Sequence, residues 1–138
     1  MSRIHSKNTN LELIVRHFLY KNGFRYRLHD VTLPGKPDIV FKKFKIAIFL
    51  HGCYFHGHQG CKLASIPSTR VEFWKNKIAG NIERDKKNEL ELKFMGWLVI
   101  KIWECEVEPR RKKSEKREIT FESLKMNLSK IIYNDTCN

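Results

Sequence analysis

Apolar residues recur along the chain in two rhythms, helical and strand-like, and their order predicts the architecture. Leu11, Ile14, Val15, Phe18 and Leu19 fall on one stripe of a helix. Thr9-Asn10-Leu11-Glu12 reads as a capping box in front of it, and Gly23 as its stop. Phe24-Arg25-Tyr26-Arg27-Leu28 then alternates apolar with basic residues, the pattern of a half-exposed strand. After the turn Leu33-Pro34-Gly35-Lys36-Pro37, a second strand runs over Asp38-Ile39-Val40-Phe41. Lys42-Lys43 makes a tight connection to a third, Lys45 to Leu50, whose apolar end marks it as central. His51 to Pro67 is irregular and rich in Gly and His. Thr69-Arg70-Val71-Glu72, a second capping box, opens a helical stretch to Met95, with a kink or break expected at Gly80. Trp97 to Trp103 is a fourth strand. Thr120 to Tyr133 is a last amphipathic helix with Phe121, Leu124, Leu128, Ile131 and Ile132 on one side.

Helix, three strands, helix, strand, helix is the order of an α/β protein. Three strands joined by short turns form a meander, and a fourth arrives after a helical crossover. The economical solution is a mixed β-sheet flanked by helices. A chain of 138 residues buries roughly 68–70% of its unfolded surface, enough for a core of its own. A single domain over 1–138 is expected: a core over 9–107, a basic linker over 108–118 and the C-terminal helix over 120–133.

Charge narrows the partner. Lys and Arg number 27 against 15 Asp and Glu, a net charge of +12. Such an excess points to a polyanion, either nucleic acid or an anionic membrane. The hydrophobic fraction of 41% excludes a disordered basic tail. No apolar run approaches the roughly 18–20 residues that span a bilayer. The opening MSRIHSKNTN lacks the apolar stretch of a secretory signal, so a cytoplasmic protein is expected. Arg25, Arg27, Lys75, Lys77, Arg84, Lys86 and Lys87, with the run Arg110 to Lys113, are available for phosphates.

The segment from Phe49 to Cys61 holds the densest chemistry. Cys53, His58 and Cys61 are spaced C-x4-H-x2-C, with Gly52, Gly57 and Gly60 allowing tight turns. Thiolate and imidazole are the ligands of structural zinc, which takes four. Cys105, just past the fourth strand, is placed to supply the fourth, with Cys137 as the competitor. A buried-cysteine loop without metal is the plainer alternative.

Pro37-Asp38 at the start of a strand, followed by a turn and another strand, is the opening of the PD-(D/E)xK nuclease arrangement. There a carboxylate holds magnesium against the scissile phosphate. The companion acid-x-Lys is missing, because the matching stretch is Phe49-Leu50-His51. A backbone carbonyl or water must complete the magnesium shell, and His51 and His56 could move protons. Glu12 is explained either by its capping box or by a role through a metal-bound water. Asp85, one turn after Ile82 on the expected inward side, is either a surface ion-pair partner or the carboxylate that orients a histidine.

Leu33 to Asp38, Phe49 to His56, Glu72-Phe73-Trp74, Glu83-Arg84-Asp85, Gly96-Trp97 and Trp103-Glu104-Cys105, in that order, resemble the very short patch repair (Vsr) mismatch endonucleases. The resemblance runs over residues 1 to 107, and its specificity lies in the combination. It implies a zinc-stabilised, restriction-endonuclease-like fold and a magnesium-dependent enzyme. That enzyme nicks one DNA strand 5′ of the thymine in a T:G mismatch left by deamination of 5-methylcytosine. A functional link to a cytosine-5 DNA methyltransferase, a monomer and a place at the bacterial nucleoid follow from the same likeness. Residue by residue, Asp38 would hold magnesium and Leu50 would give it a backbone carbonyl. His51 and His56 would be catalytic, with Asp85 behind His56, and Glu12 would bind a metal-coordinated water. Cys53, His58, Cys61 and Cys105 would bind zinc. Tyr54 and Phe55 would form the wedge pushed into DNA beside the mismatch, with Met1 as its N-terminal part. Family members have Thr where this chain has Leu50, and one residue fewer between the ligands corresponding to His58 and Cys61. Two other readings share parts of these features. A related restriction-type endonuclease with another target keeps Asp38 and the histidines but not the wedge. A non-enzymatic zinc-stabilised DNA-binding module needs only the zinc and the basic surface.

Overall fold

The computed structural model describes residues 10–52, 69–107 and 115–136. Four strands form one sheet in the order β1-β2-β3-β4: β1 Arg27–Leu28, β2 Ile39–Phe41, β3 Ile46–His51 and β4 Leu98–Trp103. β1, β2 and β3 are the expected antiparallel meander, with Leu28 opposite Ile39 and Ile39 opposite Ile48. β4 joins β3 in parallel over six residue pairs, from Ile46↔Leu98 to His51↔Trp103. A parallel partner requires a crossover, and helix α2, Val71–Phe94, is on that path.

Helix α1 spans Asn10–Lys21 and buries Leu11, Val15 and Leu19, three of the five stripe residues. Its end is a Schellman turn. The Gly23 amide donates to Tyr20 O and the Phe24 amide to Leu19 O, with Gly23 at φ +85°. The same turn closes α2, where the Gly96 amide donates to Lys93 O, the Trp97 amide donates to Leu92 O, and Gly96 has φ +89°. In both cases the residue after the glycine packs in one cluster with the residue that accepts its hydrogen bond: Phe24 with Leu19, Trp97 with Leu92.

The two faces of the sheet are unequal. Ile39, Phe41, Ile46, Ile48 and Ile102 pack with α1, Val107 of the short helix α3 (Glu104–Val107) and Leu124 and Leu128 of helix α4 (Glu115–Thr136). The alternate residues Val40 and Ala47 form a smaller cluster with Leu92 and Trp97 on the α2 side. Strand alternation alone produces this division.

Several boundaries differ from the sequence reading. Only Arg27–Leu28 of the expected Phe24 to Leu28 strand pairs, because Phe24 is consumed by the α1 turn. α2 runs unbroken through Gly80, whose missing side chain points into open space. A lone helix glycine costs only about 1 kcal/mol, and the flanking turns carry it. The Thr69 capping box does not form: α2 begins after Arg70, which is left-handed at φ +54° and gives no side-chain cap. α3 has no counterpart in the apolar pattern. α4 starts at Glu115, five residues before Thr120. Glu, Lys and Arg at 115–117 are good helix formers, and Arg117 Nε donates to Val107 O at 2.6 Å. No helix among the described residues is long and apolar enough to cross a membrane.

Candidate active site

Strand directions gather the chemistry at one end of the sheet. The C-terminal ends of β1, β3 and β4 and the N-terminal entry of β2 lie side by side there. That end carries His29 after β1, Asp38 before β2, His51 closing β3, and α3 with Cys105 following β4. α1 adds Glu12 from the larger-core side.

Asp38 is pinned by its backbone and its side chain. Its amide donates to Ile48 O at 3.1 Å, and its carbonyl accepts from the His29 amide at 3.0 Å. Its Oδ2 accepts from the Leu50 amide at 2.8 Å. The preceding turn fixes the approach. Gly35 sits at φ +76°, and an added Cβ would lie 3.0 Å from Asn88 Cβ and 3.1 Å from Phe49 Cε1. Only glycine suits both that dihedral and that closeness.

Glu12 is 1% exposed. Its Oε1 lies 2.9 Å from His29 Nε2 and its Oε2 3.3 Å from Arg16 Nη1. A carboxylate this deep needs such partners, because burial without them costs several kcal/mol. The turn that aims His29 is also braced: the Thr32 amide and hydroxyl both donate to Asp30 Oδ1, at 2.9 and 2.5 Å. The Thr32 hydroxyl and then its amide hold the Asp30 carboxyl below its usual value. Glu12, His29 and Asp38 bring one ligand atom each to within 4.8 Å of one another. Two carboxylates and an imidazole at this spacing are donors that fit a divalent ion.

His51 is 4% exposed and lies across the sheet register from Trp103. The two rings meet edge to face, 5.0 Å between centroids. His51 and Asp85 line one small cavity together with Asn88 and Glu89 of α2. Asp85 is thus half-buried on the side of α2 that shares this cavity with His51. Glu89 accepts from Lys93 and Lys101 at 2.8 and 2.9 Å. Its carboxyl is lowered first by the Lys93 hydrogen bond and then by that of Lys101.

The structure therefore brings together Glu12, Asp38 and Leu50, while His51, the next residue along β3, shares its cavity with Asp85 on the α2 side. His29 belongs with Glu12 and Asp38, and no sequence motif singles it out. The signal for it is the hairpin register, which sets the residue after Leu28 against Asp38. Cys105 lies on α3, beside Glu104, whose Oε1 comes within 3.9 Å of where a Gly52 Cβ would be. Gly52, just past the end of β3, and Glu104, at the start of α3, are therefore neighbours. Met1, Cys53, Tyr54, Phe55, His56, His58 and Cys61 lie outside the described residues.

The family description "DNA mismatch endonuclease Vsr" matches residues 1–62. The chain is 39% identical over 112 residues to the DNA mismatch endonuclease Vsr of Escherichia coli, covering 81% of this chain and 71% of that one. The chain belongs to the Vsr family of DNA mismatch endonucleases. It is 50% identical over 107 residues to the type II nicking enzyme V.NmeAIP of Neisseria meningitidis, spanning 78% of this chain and 76% of that one. It is 44% identical over 107 residues to V.XorIIP of Xanthomonas oryzae, spanning 78% of each. As a Vsr-family protein it is a DNA endonuclease, and its net charge of +12 suits a polyanionic substrate.

Proposed function

We propose that this Vsr-family endonuclease nicks one strand 5′ of the thymine in a T:G mismatch, using magnesium held at Asp38. The observation that carries this reading is the convergence of Asp38, Glu12 and His29 donors at the end of the sheet, with the Asp38 carboxylate bonded to Leu50, the residue before His51. Asp38 is the carboxylate for the ion, oriented by the Leu50 amide, with the Leu50 carbonyl as a main-chain ligand. A main-chain ligand tolerates Leu where relatives have Thr. Glu12 would face the same ion from α1. Bound magnesium supplies positive charge against the scissile phosphate and lowers the pKa of water. His51 and His56 move the protons of attack and departure, since imidazole titrates near neutrality. Asp85 fixes a ring nitrogen of its histidine. The PD-(D/E)xK arrangement is thereby used without its second acid and lysine.

Cys53, His58, Cys61 and Cys105 would hold zinc, which would tie that segment to the sheet and contribute folding energy. Tyr54 and Phe55, with Met1, wedge into the stack. An apolar wedge must offset a few kcal/mol of unstacking, least where a mismatch has weakened the stack. A mismatch left by deaminated 5-methylcytosine links the enzyme to a cytosine-5 methyltransferase. One copy of the chain at the nucleoid, with a single domain, suffices for a nick. Three duplexes test this: T:G, T:A and G:C at one position, incubated with magnesium. Nicking confined to T:G, 5′ of the T, is expected. Equal cutting of all three contradicts the mismatch reading and favours a restriction-type target.

A further inference from the structure

We infer that a divalent ion at this site takes His29 Nε2 as a direct ligand beside Glu12 and Asp38. The centre is then a mixed nitrogen–oxygen one that favours manganese over magnesium. This rests on the proposed Asp38 metal site and goes beyond the water-mediated role implied for Glu12.

Three features support it. Nε2 lies 2.9 Å from Glu12 Oε1. The pair shares a hydrogen bond, so an ion would have to displace its proton, and the spacing it leaves matches the roughly 3.0 Å between adjacent ligands about 2.1 Å from an octahedral ion. The Asp38 ligand atom completes a set within 4.8 Å, and the backbone pairing of His29 to Asp38 fixes the third corner. Glu12 is held from behind by Arg16 on its other oxygen, which turns Oε1 toward the imidazole. Magnesium demands a near-ideal oxygen shell and dehydrates reluctantly, whereas an imidazole nitrogen suits first-row transition ions, among which manganese shares magnesium's taste for carboxylate and water.

The test uses the whole protein with Mn2+ alone, and separately with Mg2+, followed by calorimetry. Electron spin-echo measurements on the Mn2+ protein report directly coordinated nitrogen. The wild-type protein is expected to bind Mn2+ at least about tenfold more tightly than Mg2+, with imidazole nitrogen coupled to the Mn2+ spin. His29→Gln is expected to reduce the Mn2+/Mg2+ affinity ratio by about tenfold and to abolish the nitrogen coupling. His29→Ala with an unchanged circular dichroism spectrum should behave alike. No nitrogen coupling in the wild-type protein, coupling that persists in His29→Gln, or an unchanged ratio overturns the inference. Asp38→Asn separates the two claims. If it binds both ions as the wild type does, the Asp38 reading fails, whatever His29 does.

Discussion

α1 and α2 flank the same sheet and treat it differently. α1 has 12 residues and buries Leu11, Glu12, Val15 and Leu19. α2 has 24 and buries only Ile78 and Leu92, leaving Phe73, Leu90 and Phe94 exposed. The short helix is locked into the main core, and so is the acid it carries. The long one lies on a thin apolar seam and gives most of its surface to solvent. The difference explains where precision and where open surface are placed. Glu12 reaches its partners from a backbone fixed in the core, while Lys75, Lys77, Arg84, Lys86 and Lys87 are all exposed around the outer surface of α2 and open to a phosphate backbone.

The largest stability loss should therefore come from α1. Leu19→Ala, at a site with no exposure, should cost about 2–5 kcal/mol. Ile78→Ala on α2, already 8% exposed, should fall at or below the bottom of that range. Chemical denaturation of both variants checks the contrast, and equal losses would break it. Gly35→Ala should cost about 1–3 kcal/mol through its left-handed φ and the close Asn88 and Phe49 atoms. Nicking should drop with it, because the turn sets Asp38. Lys86→Glu with Lys87→Glu should leave melting nearly unchanged but weaken DNA binding. The slope of log affinity against log salt should flatten by about one for each phosphate that is no longer neutralised. A titration at several salt concentrations decides it.

The smallest effect concerns Glu89. Lys93 and Lys101 lower its folded pKa below the ordinary 4.5. A lowered pKa adds stability that is present above the unfolded value and is lost as pH falls through the folded one. Glu89→Gln should thus cost under about 1 kcal/mol at about pH 7. The difference from wild type should vanish at pH values below the folded pKa, as read by denaturation from neutral to strongly acidic pH.

Much of the fold is legible because local chemistry and tertiary packing agree. The meander and the Gly23 stop follow from residues whose neighbours in sequence are also their neighbours in space, and the crossover to β4 follows from one long helical stretch between two apolar strands. Where the two diverge, the sequence misleads. Thr69 offers a capping hydroxyl, yet the chain enters α2 through a left-handed Arg70. α3 is one turn whose Glu106 side chain accepts from the Trp103 amide, a hydrogen bond no periodicity announces. At the candidate site Asp38 is legible from Pro37-Asp38 and its strand. His29 is not, because its role depends on hairpin register rather than on a motif. Glu12 carries two explanations in the sequence, and its burial against His29 adds a tertiary partner that the capping pattern could not contain.

The central claim is that the Asp38 carboxylate makes this end of the sheet a phosphodiester-cleaving centre. Single-turnover nicking of a T:G duplex with saturating enzyme and magnesium, comparing wild type with Asp38→Ala, tests it most directly. Removing an ion worth several kcal/mol of transition-state stabilisation should slow the nick about a thousandfold or more, with DNA binding and the folded state retained. An Asp38→Ala protein that nicks at the wild-type rate would contradict the account.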